Sequence, residues 1–576
     1  MPLKSQWEIQ TCKDIDAQEN LTNILGVDPI TACCLVNRGY SDETEARSFL
    51  NPQLKDLSKP FKMADLKKGV KRVADAIVSR EKIAVFGDYD VDGLTSTSVM
   101  YLFLRASACT VYVNTADRFS GGYGLNIETV EGFKQSGCST LIVLDCGTSD
   151  HEAILKANEL GIDVVVIDHH RIDSDYPKAY AFINPQRPDC EFEDKTLAAV
   201  GLTFYFCASV RTELINVGYI TQDEIDIKSL LDLVALGTIA DVVPLGKNNR
   251  ILASQGLKIM SKKRRPGIEA LINSARIHSK NLNSYHVSFQ IAPRINAAGR
   301  LANAMNAFEL LVSTVNSDAE EYARILEQFT FKRREIESKV TAEAREQAKE
   351  QSEKGKRLIV VAGDCWHKGV LGIVAARLSE EFHRPVYVVG FDDNMGTGSA
   401  RGPGQINLYD SLEHASSLLV RFGGHRDAAG FSVAREHLAD FIKLLNEYAE
   451  QNWTEQKSGI LMCDAKLNPS QLTSRLLNEL LSLGPFGMQN PEPLFYIEGL
   501  DVLSARVVGM GHLKLLLKLP SGTVSAFGPG MGDAVGYISD RIDVVAAIYP
   551  DEWKGDGALE LKLSMPPIVN EDYDNL

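Results

Sequence analysis

Four short clusters of this chain concentrate side chains able to bind divalent cations. GDYDVDG carries Asp88, Asp90 and Asp92, and LDCGTSD carries Asp145 and Asp150. IDHH carries Asp168, His169 and His170, and IADVVP carries Asp241. A pair of divalent ions about 3.5–4 Å apart needs several carboxylates, some of them bridging, and accepts neutral imidazole. Mixed Asp and His ligation suits manganese or magnesium better than a thiolate-built zinc site does. Such a pair lowers the pKa of a bridging water and holds a phosphate's oxygens through in-line attack. Taken singly, an Asp after a strand more often caps a helix, and Asp92 and Asp150 suit that plainer role best. Asp88 and Asp90 stand one pleat apart on the same side of an extended chain. Two adjacent histidines after a buried strand need polar partners. Gly87 and Gly93 would let the backbone approach the ions. Together these residues read as a two-metal enzyme acting on phosphates.

Convergence of these clusters requires a particular scaffold. KIAVFG (82–87), TLIVLD (140–145) and IDVVVID (162–168) are apolar, β-rich runs separated by helix-like stretches such as LTSTSVMYLFLR and SDHEAILKANELG. That alternation predicts a parallel sheet buried on both faces. In open parallel sheets, ligands bind beyond the carboxyl ends of the strands, where three of the clusters sit. Asp88, Asp145 and Asp168 can therefore meet although far apart in sequence. SLLDLVALGTIADVVPL (229–245) reads as a buried helix running into an acidic turn.

At 576 residues the chain exceeds one core and divides into several domains. Residues 1–45 read as an N-terminal extension with helical pieces, and 46–316 as the α/β domain holding the clusters. Residues 317–355 lack Gly and Pro until Gly355 and read as one long connecting helix, about 55 Å in length. Ser317 and Glu320 have capping-box spacing, and Gly355 sits where a C-terminal cap belongs. RLIVVAG and PVYVVGF open a second α/β domain over 356–455. Short runs such as HLKLLLKLP, TVSAFG, IDVVAAIYP and ALELKLS predict a small OB-like barrel over 456–570. The tail 571–576 is expected to be disordered.

Composition limits the partners. The net charge is −15, so any nucleic acid must be held in a local basic groove with metal ions offsetting charge. Over 456–576, nine Lys and Arg stand against fifteen Asp and Glu, a net of −6, so a barrel grip on DNA must rely on local positions and stacking. No apolar run approaches the roughly 18 residues of a membrane span, and MPLKSQWEIQ lacks the features of a signal peptide. The ten cysteines include no CxxC pair, the usage of a reducing compartment. The expectation is a cytoplasmic protein with no membrane partner.

Further motifs offer groups for a phosphate. FGGHRDAAG presents Gly423, Gly424 and His425; a glycine turn before a helix is its plainer reading. GTGSARGPG presents Ser399 and Arg401, a hydroxyl and a planar fork suited to phosphate. DCWHKGVLGIVAARL places Trp366 and His367 before a helix start, where free amides could receive a phosphate and the Trp could stack a base or merely pack. APRINAAGRL supplies Arg294, Asn296 and Arg300 in a small-residue loop.

Asp168-His169-His170 is the signature of the DHH phosphoesterases, and FGDYDVDGLTS, LDCGTSD and ALGTIADVVPL resemble that family's other motifs. The resemblance implies ion ligands at Asp88, Asp90, Asp145, His169, His170 and Asp241, with Asp168 orienting a ligand from behind. FGGHRDAAG resembles the GGH motif of the associated DHHA1 domain. APRINAAGRL, WHKGVLGIVA and LGPFGMQNPEPLF (483–495) are similar to the RecJ-type branch, across most of the chain. QFTFKRRE (328–335) departs from that branch, which more often has Leu-Asn before its Arg. The resemblance implies a parallel-sheet DHH domain and an α/β DHHA1 domain joined by a long helix, with a C-terminal OB-like barrel. It implies 5′-to-3′ hydrolysis of single-stranded DNA to 5′-mononucleotides with two Mn2+ or Mg2+ ions, in repair and recombination. It further implies a monomer whose protein partners are a single-strand-binding protein and a RecQ-type helicase. The alternatives are a DHH hydrolase of short substrates, which would lack the barrel, and a non-catalytic DHH-derived replication scaffold, which would lose ligands.

Overall fold

The computed structural model describes residues 7–116, 124–172, 175–301, 303–454, 460–551, 554–555 and 557–569, and the tail 571–576 lies outside the described residues. The chain forms two compact units, one of residues 1–296, 304–323 and 460–576, the other of 297–303 and 324–459.

In the first unit, β1 (Trp7–Ile9) precedes three short helices over 15–50. Five parallel strands follow: β2 (Lys82–Gly87), β3 (Thr110–Thr115), β4 (Thr140–Leu144), β5 (Asp163–Ile167) and β6 (Ala181–Ile183). Their order is β3-β2-β4-β5-β6. After their first residues, Thr140 and Asp163, β4 and β5 are apolar because helices cover both faces, leaving no solvent side for a polar alternation. The chain leaves β2 for the edge strand β3 and returns across β2 to β4. That reversal opens a crevice at the carboxyl ends of β2 and β4.

In the second unit the sheet is mixed. Its strands are β7 (Ile359–Asp364), β8 (Val386–Asp392), β9 (Met395–Arg401), β10 (Leu419–His425) and β11 (Ala428–Ala434), in the order β10-β11-β9-β8-β7, with only β7 and β8 parallel. The helix Asn316–Glu353 belongs to both units and buries Val340, Ala344 and Ala348, at a four-residue spacing, against this sheet's core. It begins at Asn316, so Ser317 lies inside its first turn rather than at the cap.

The remaining strands are β12 (Leu461–Cys463), β13 (Ala465–Leu467), β14 (Phe495–Val508), β15 (His512–Leu519), β16 (Gly522–Gly528), β17 (Arg541–Pro550) and β18 (Leu559–Leu563). β14-β15-β16-β18-β17 closes on itself through β14–β17 pairing, giving a five-stranded barrel. β1 pairs with β12, and Leu21, Leu35, Ala46 and Phe49 share one core with Leu477 of the helix Ser474–Ser482 and barrel residues Phe495, Leu515 and Ile542. The helix Pro29–Asn37 is buried over six consecutive residues, Thr31 to Val36, and the helix Glu43–Leu50 buries Ala46 and Phe49 there.

Candidate metal centre

The acids reach the crevice through local backbone geometry. Asp88, Asp145 and Asp168 each follow a strand, and their amides donate to Leu144, Ile167 and Ile183 carbonyls on the neighbouring strands. Each acid is thus held in the continuing ladder. Asp145 adopts φ +59°, a strained choice for a residue other than Gly, which turns the chain sharply at the strand end. Asp90 caps the helix Val91–Ala106, its Oδ1 accepting from Gly93 N at 3.0 Å. Asp241 closes the helix Leu231–Ala240.

The structure brings seven of these side chains together, Asp92 among them. Ligand atoms of Asp88, Asp90 and Asp145 lie within 4.8 Å of one another, as do those of Asp145, His169 and His170, and of Asp92, His169 and Asp241. His169 Nε2 lies 3.3 Å from Asp145 Oδ1 and 3.6 Å from Asp241 Oδ2. Two adjacent ligands about 2.1 Å from one octahedral ion stand about 3 Å apart. Asp88 Oδ1 and Asp241 Oδ2 are buried without a hydrogen-bond partner among the described residues. Buried carboxylate oxygens are expensive unless something positive meets them. The donor set fits hard divalent ions.

Electrostatics express the same crowding. Burial and the Asp90 charge hold Asp88 well above the usual carboxylate range. Burial, then the Asp92 and Asp90 charges, do the same for Asp145 and push Asp241 to about 9. Burial and the neighbouring His170 lower His169 to about 4, leaving it the neutral imidazole that an ion requires. Burial would depress His170 too, but its hydrogen bond to Asp168 raises it to about 9.

Asp168 stands behind the cluster. Its Oδ1 accepts from His170 Nδ1 and from His169 N, both at 2.7 Å. Its Oδ2 accepts from Thr148 Oγ1 at 2.5 Å and Thr148 N at 3.1 Å. Asn184 Nδ2 bridges Thr148 Oγ1 and the His170 carbonyl at 3.3 and 2.9 Å. Sequence reasoning missed Thr148 and Asn184; the available signal was an Asn at the carboxyl end of a fifth parallel strand. Asp92 caps another helix instead of its own, accepting the amides of Ala199 and Val200. Asp150 stands at the N-cap of His151–Glu159, but its carboxylate accepts from Leu125 N. Gly87 and Gly93 are sites of close packing. A Cβ on Gly87 would stand 2.0 Å from Thr97 Oγ1, and one on Gly93 would stand 2.5 Å from Asp88 O.

The expected phosphate contacts are mixed in outcome. Ser399 and Arg401 share β9, with Arg401 Nη1 donating to Ser399 Oγ at 3.2 Å, beside the helix starting at Leu371. Gly423, Gly424 and His425 lie exposed on the edge strand β10, not in a turn before a helix. Gly424 has φ +138°, and a Cβ there would meet Ala428 O at 2.4 Å. His367 Nδ1 accepts from Gly369 N at 3.1 Å, and Arg300 Nη1 donates to Gly369 O at 3.2 Å. Asn296 and Arg300 lie on the helix Ala292–Leu301, so the expected loop is helical. Two candidates are corrected. Trp366 is 6% exposed in the core of the second unit, its indole N–H donating to Glu343 at 2.7 Å, so its ring packs and does not stack a base. Arg294 is 7% exposed and donates to the Gln290 and Ser274 carbonyls, which spends its fork on the backbone.

A parallel sheet with acids and an Asp-His-His run at its switch point, followed by a mixed sheet and a closed barrel, is the build of a DHH phosphoesterase. The DHH family N-terminal domain matches residues 82–238, the DHHA1 domain 355–451 and the RecJ OB domain 463–565. The single-stranded-DNA-specific exonuclease RecJ of Bacillus subtilis is 37% identical over 96% of this chain and 69% of its own. That of Haemophilus influenzae is 36% identical over 87% and 88%. Crystal structures of Thermus thermophilus RecJ with Mn2+ and with Mg2+ superpose with TM-scores of 0.82 and 0.76 at 26% identity, covering 99% and 98% of this chain and 80% and 79% of theirs. The chain belongs to the RecJ family. Among the described residues, no helix is long and apolar enough to cross a membrane.

Proposed function

We propose that this chain is a metal-dependent exodeoxyribonuclease that removes 5′-mononucleotides from single-stranded DNA in the 5′-to-3′ direction, in DNA repair and recombination. The observation that carries this reading is that, among the described residues, the buried Asp88 Oδ1 and Asp241 Oδ2 have no hydrogen-bond partner within a cluster of acids and imidazoles. Asp88, Asp90, Asp145, His169, His170 and Asp241 hold two divalent ions, Mn2+ or Mg2+. When bound, these ions supply an activated water and charge neutralisation at the scissile phosphate. Asp168 fixes the His170 ring with its proton on Nδ1, which leaves the Nε2 lone pair to ligate an ion. Low proton affinity keeps His169 neutral.

Ser399, Arg401, His367, Arg300, Asn296, His425 and the amides of Gly423 and Gly424 contact the DNA strand. Planar guanidinium and free amides suit its phosphates. The barrel matched by the RecJ OB domain favours a strand over a dinucleotide as substrate. The ten free cysteines, eight of them buried, suit a reducing cytoplasm. A single-strand-binding protein and a RecQ-type helicase are its proposed partners, and a monomer its proposed state.

An assay with end-labelled single-stranded DNA, blunt duplex and RNA tests this, run with manganese, magnesium, calcium or chelator. Rapid mononucleotide release from the 5′ end with manganese or magnesium is expected. Calcium should fail because it prefers longer bonds and more oxygens. Asp145→Ala should abolish the reaction; near-normal turnover in that variant would remove the site from consideration.

A further inference from the structure

LGPFGMQNPEPLF is distant from the acids in sequence, yet it folds against the chain that leaves them. Asp241 ends its helix, and the next residue, Val242, adopts φ +60° with 64% of its surface exposed. A β-branched residue in the left-handed region is strained, and burial of its own side chain does not offset that here. Such a conformation persists only where both flanks are held. The helix Leu231–Ala240 holds one.

The barrel module holds the other. Leu245 N donates to Met488 O at 2.9 Å. Gly487 packs so closely that a Cβ on it would stand 2.8 Å from Leu245 Cδ1. Arg250 is 2% exposed and faces carbonyls rather than acids: Leu483 O at 2.9 Å, Ser482 O at 3.2 Å, and Phe49 O at 3.0 and 2.8 Å. Asn490 Nδ2 ties the segment to itself through Leu483 O and Pro485 O, both at 2.9 Å, while its Oδ1 accepts from Arg38 Nε at 3.1 Å. Asn249 Nδ2 secures Pro244 O from the other side at 3.1 Å.

We propose that residues 484–490 are a positioning element of the metal centre, holding the 242–245 turn through Leu245 and Arg250 so that Asp241 keeps its place. The barrel thereby supports ion binding in addition to any grip on DNA. This inference rests on Asp241 being an ion ligand. A loosened turn would relax at Val242 and let the Asp241 carboxylate drift from His169.

The test is Mn2+ affinity of the full chain, read from the electron paramagnetic resonance signal of free Mn2+, alongside the melting temperature. Asn490→Ala and Gly487→Val should each weaken Mn2+ binding about 10-fold, the scale typical when a ligand's support is lost. Their melting temperatures should fall by several degrees for the lost hydrogen bonds and tighter packing yet stay well above the assay temperature, so that both variants are read while folded. Leu245→Ala makes room for the larger residue and should restore binding in the Gly487→Val background. Unchanged Mn2+ affinity in the two folded single variants would overturn the proposal, as would failure of Leu245→Ala to restore it. Asp241→Asn separates the two readings: if it leaves Mn2+ binding intact, the ligand assignment itself has failed.

Discussion

His170 Nδ1 lies 2.7 Å from Asp168 Oδ1, and the same oxygen accepts the backbone N–H of His170 at 3.2 Å. One carboxylate therefore fixes both the ring and the main chain of a residue that faces the metal centre. The ring tautomer follows, because a hydrogen on Nδ1 is required by the anionic acceptor. Burial works against ionisation of Asp168, but the His170 hydrogen bond and charge bring it well below the usual carboxylate range.

Asp168→Asn should therefore weaken Mn2+ binding by about 10–100-fold while the fold survives. The amide can keep one backbone acceptor but no longer imposes a proton on Nδ1. A manganese titration of hydrolysis checks this, and an unchanged half-saturation point would show that His170 is oriented by other groups.

The metal-free protein should lose stability as pH rises. Asp241 holds its proton to about 9 in the folded state, against roughly 3.9 when unfolded. Its favourable contribution is complete below pH 4 and disappears as pH climbs through 9. Asp241→Asn removes the buried charge, so chelator-treated variant should melt higher than the parent at pH 8 and the two should converge towards pH 4. Manganese reverses the order, stabilising only the parent. Equal melting of both chelated proteins at pH 8 would contradict this.

Manganese affinity should rise with pH over the same range. Burial and the Asp90 charge hold Asp92 at about 7, and Asp241 and His170 stand at about 9. Protons must leave these coupled groups before an ion binds tightly. Calorimetry in buffers of different ionisation enthalpy should detect proton release at pH 7 that shrinks by pH 9.

Trp366→Phe should cost on the order of 1 kcal/mol of stability, for the lost hydrogen bond to Glu343, and leave DNA affinity unchanged. Trp366→Ala should cost about 3–5 kcal/mol because it opens a cavity in the second unit. A large fall in DNA affinity in the Phe variant would return the ring to a stacking role.

Blunt duplex should be a poor substrate. Freeing an end costs about 1.4 kcal/mol per base-pair step, and local contacts from residues such as Arg300 and Arg401 can offset only a few steps. Because the grip is through phosphates, activity at low substrate should also fall as salt rises. Equal rates on blunt and single-stranded ends would be incompatible with this strand-specific grip.

The parallel sheet and the acids at its strand ends were legible in the sequence because both have local causes. Continuous β-rich apolar runs such as KIAVFG and TLIVLD, alternating with helix-like stretches, fit strands buried on two faces, and Asp88 and Asp145 then fall at their carboxyl ends. The DHH motif and the barrel's short alternating runs carried equally local signals. Tertiary structure decided what those signals could not reach. Asp92 looked like a cap for its own helix and caps the helix Ala199–Asn216 instead, since only folding brings those amides to it. Trp366 and Arg294 looked available because a sequence shows residue type and not solvent access. Thr148 and Asn184 became partners of Asp168 and His170 only when three strands aligned. The N-terminal helices joined the barrel's core from over four hundred residues away. Side-chain periodicity records which face of an element is buried, but the face that covers it comes from elsewhere in the chain and is settled by packing alone.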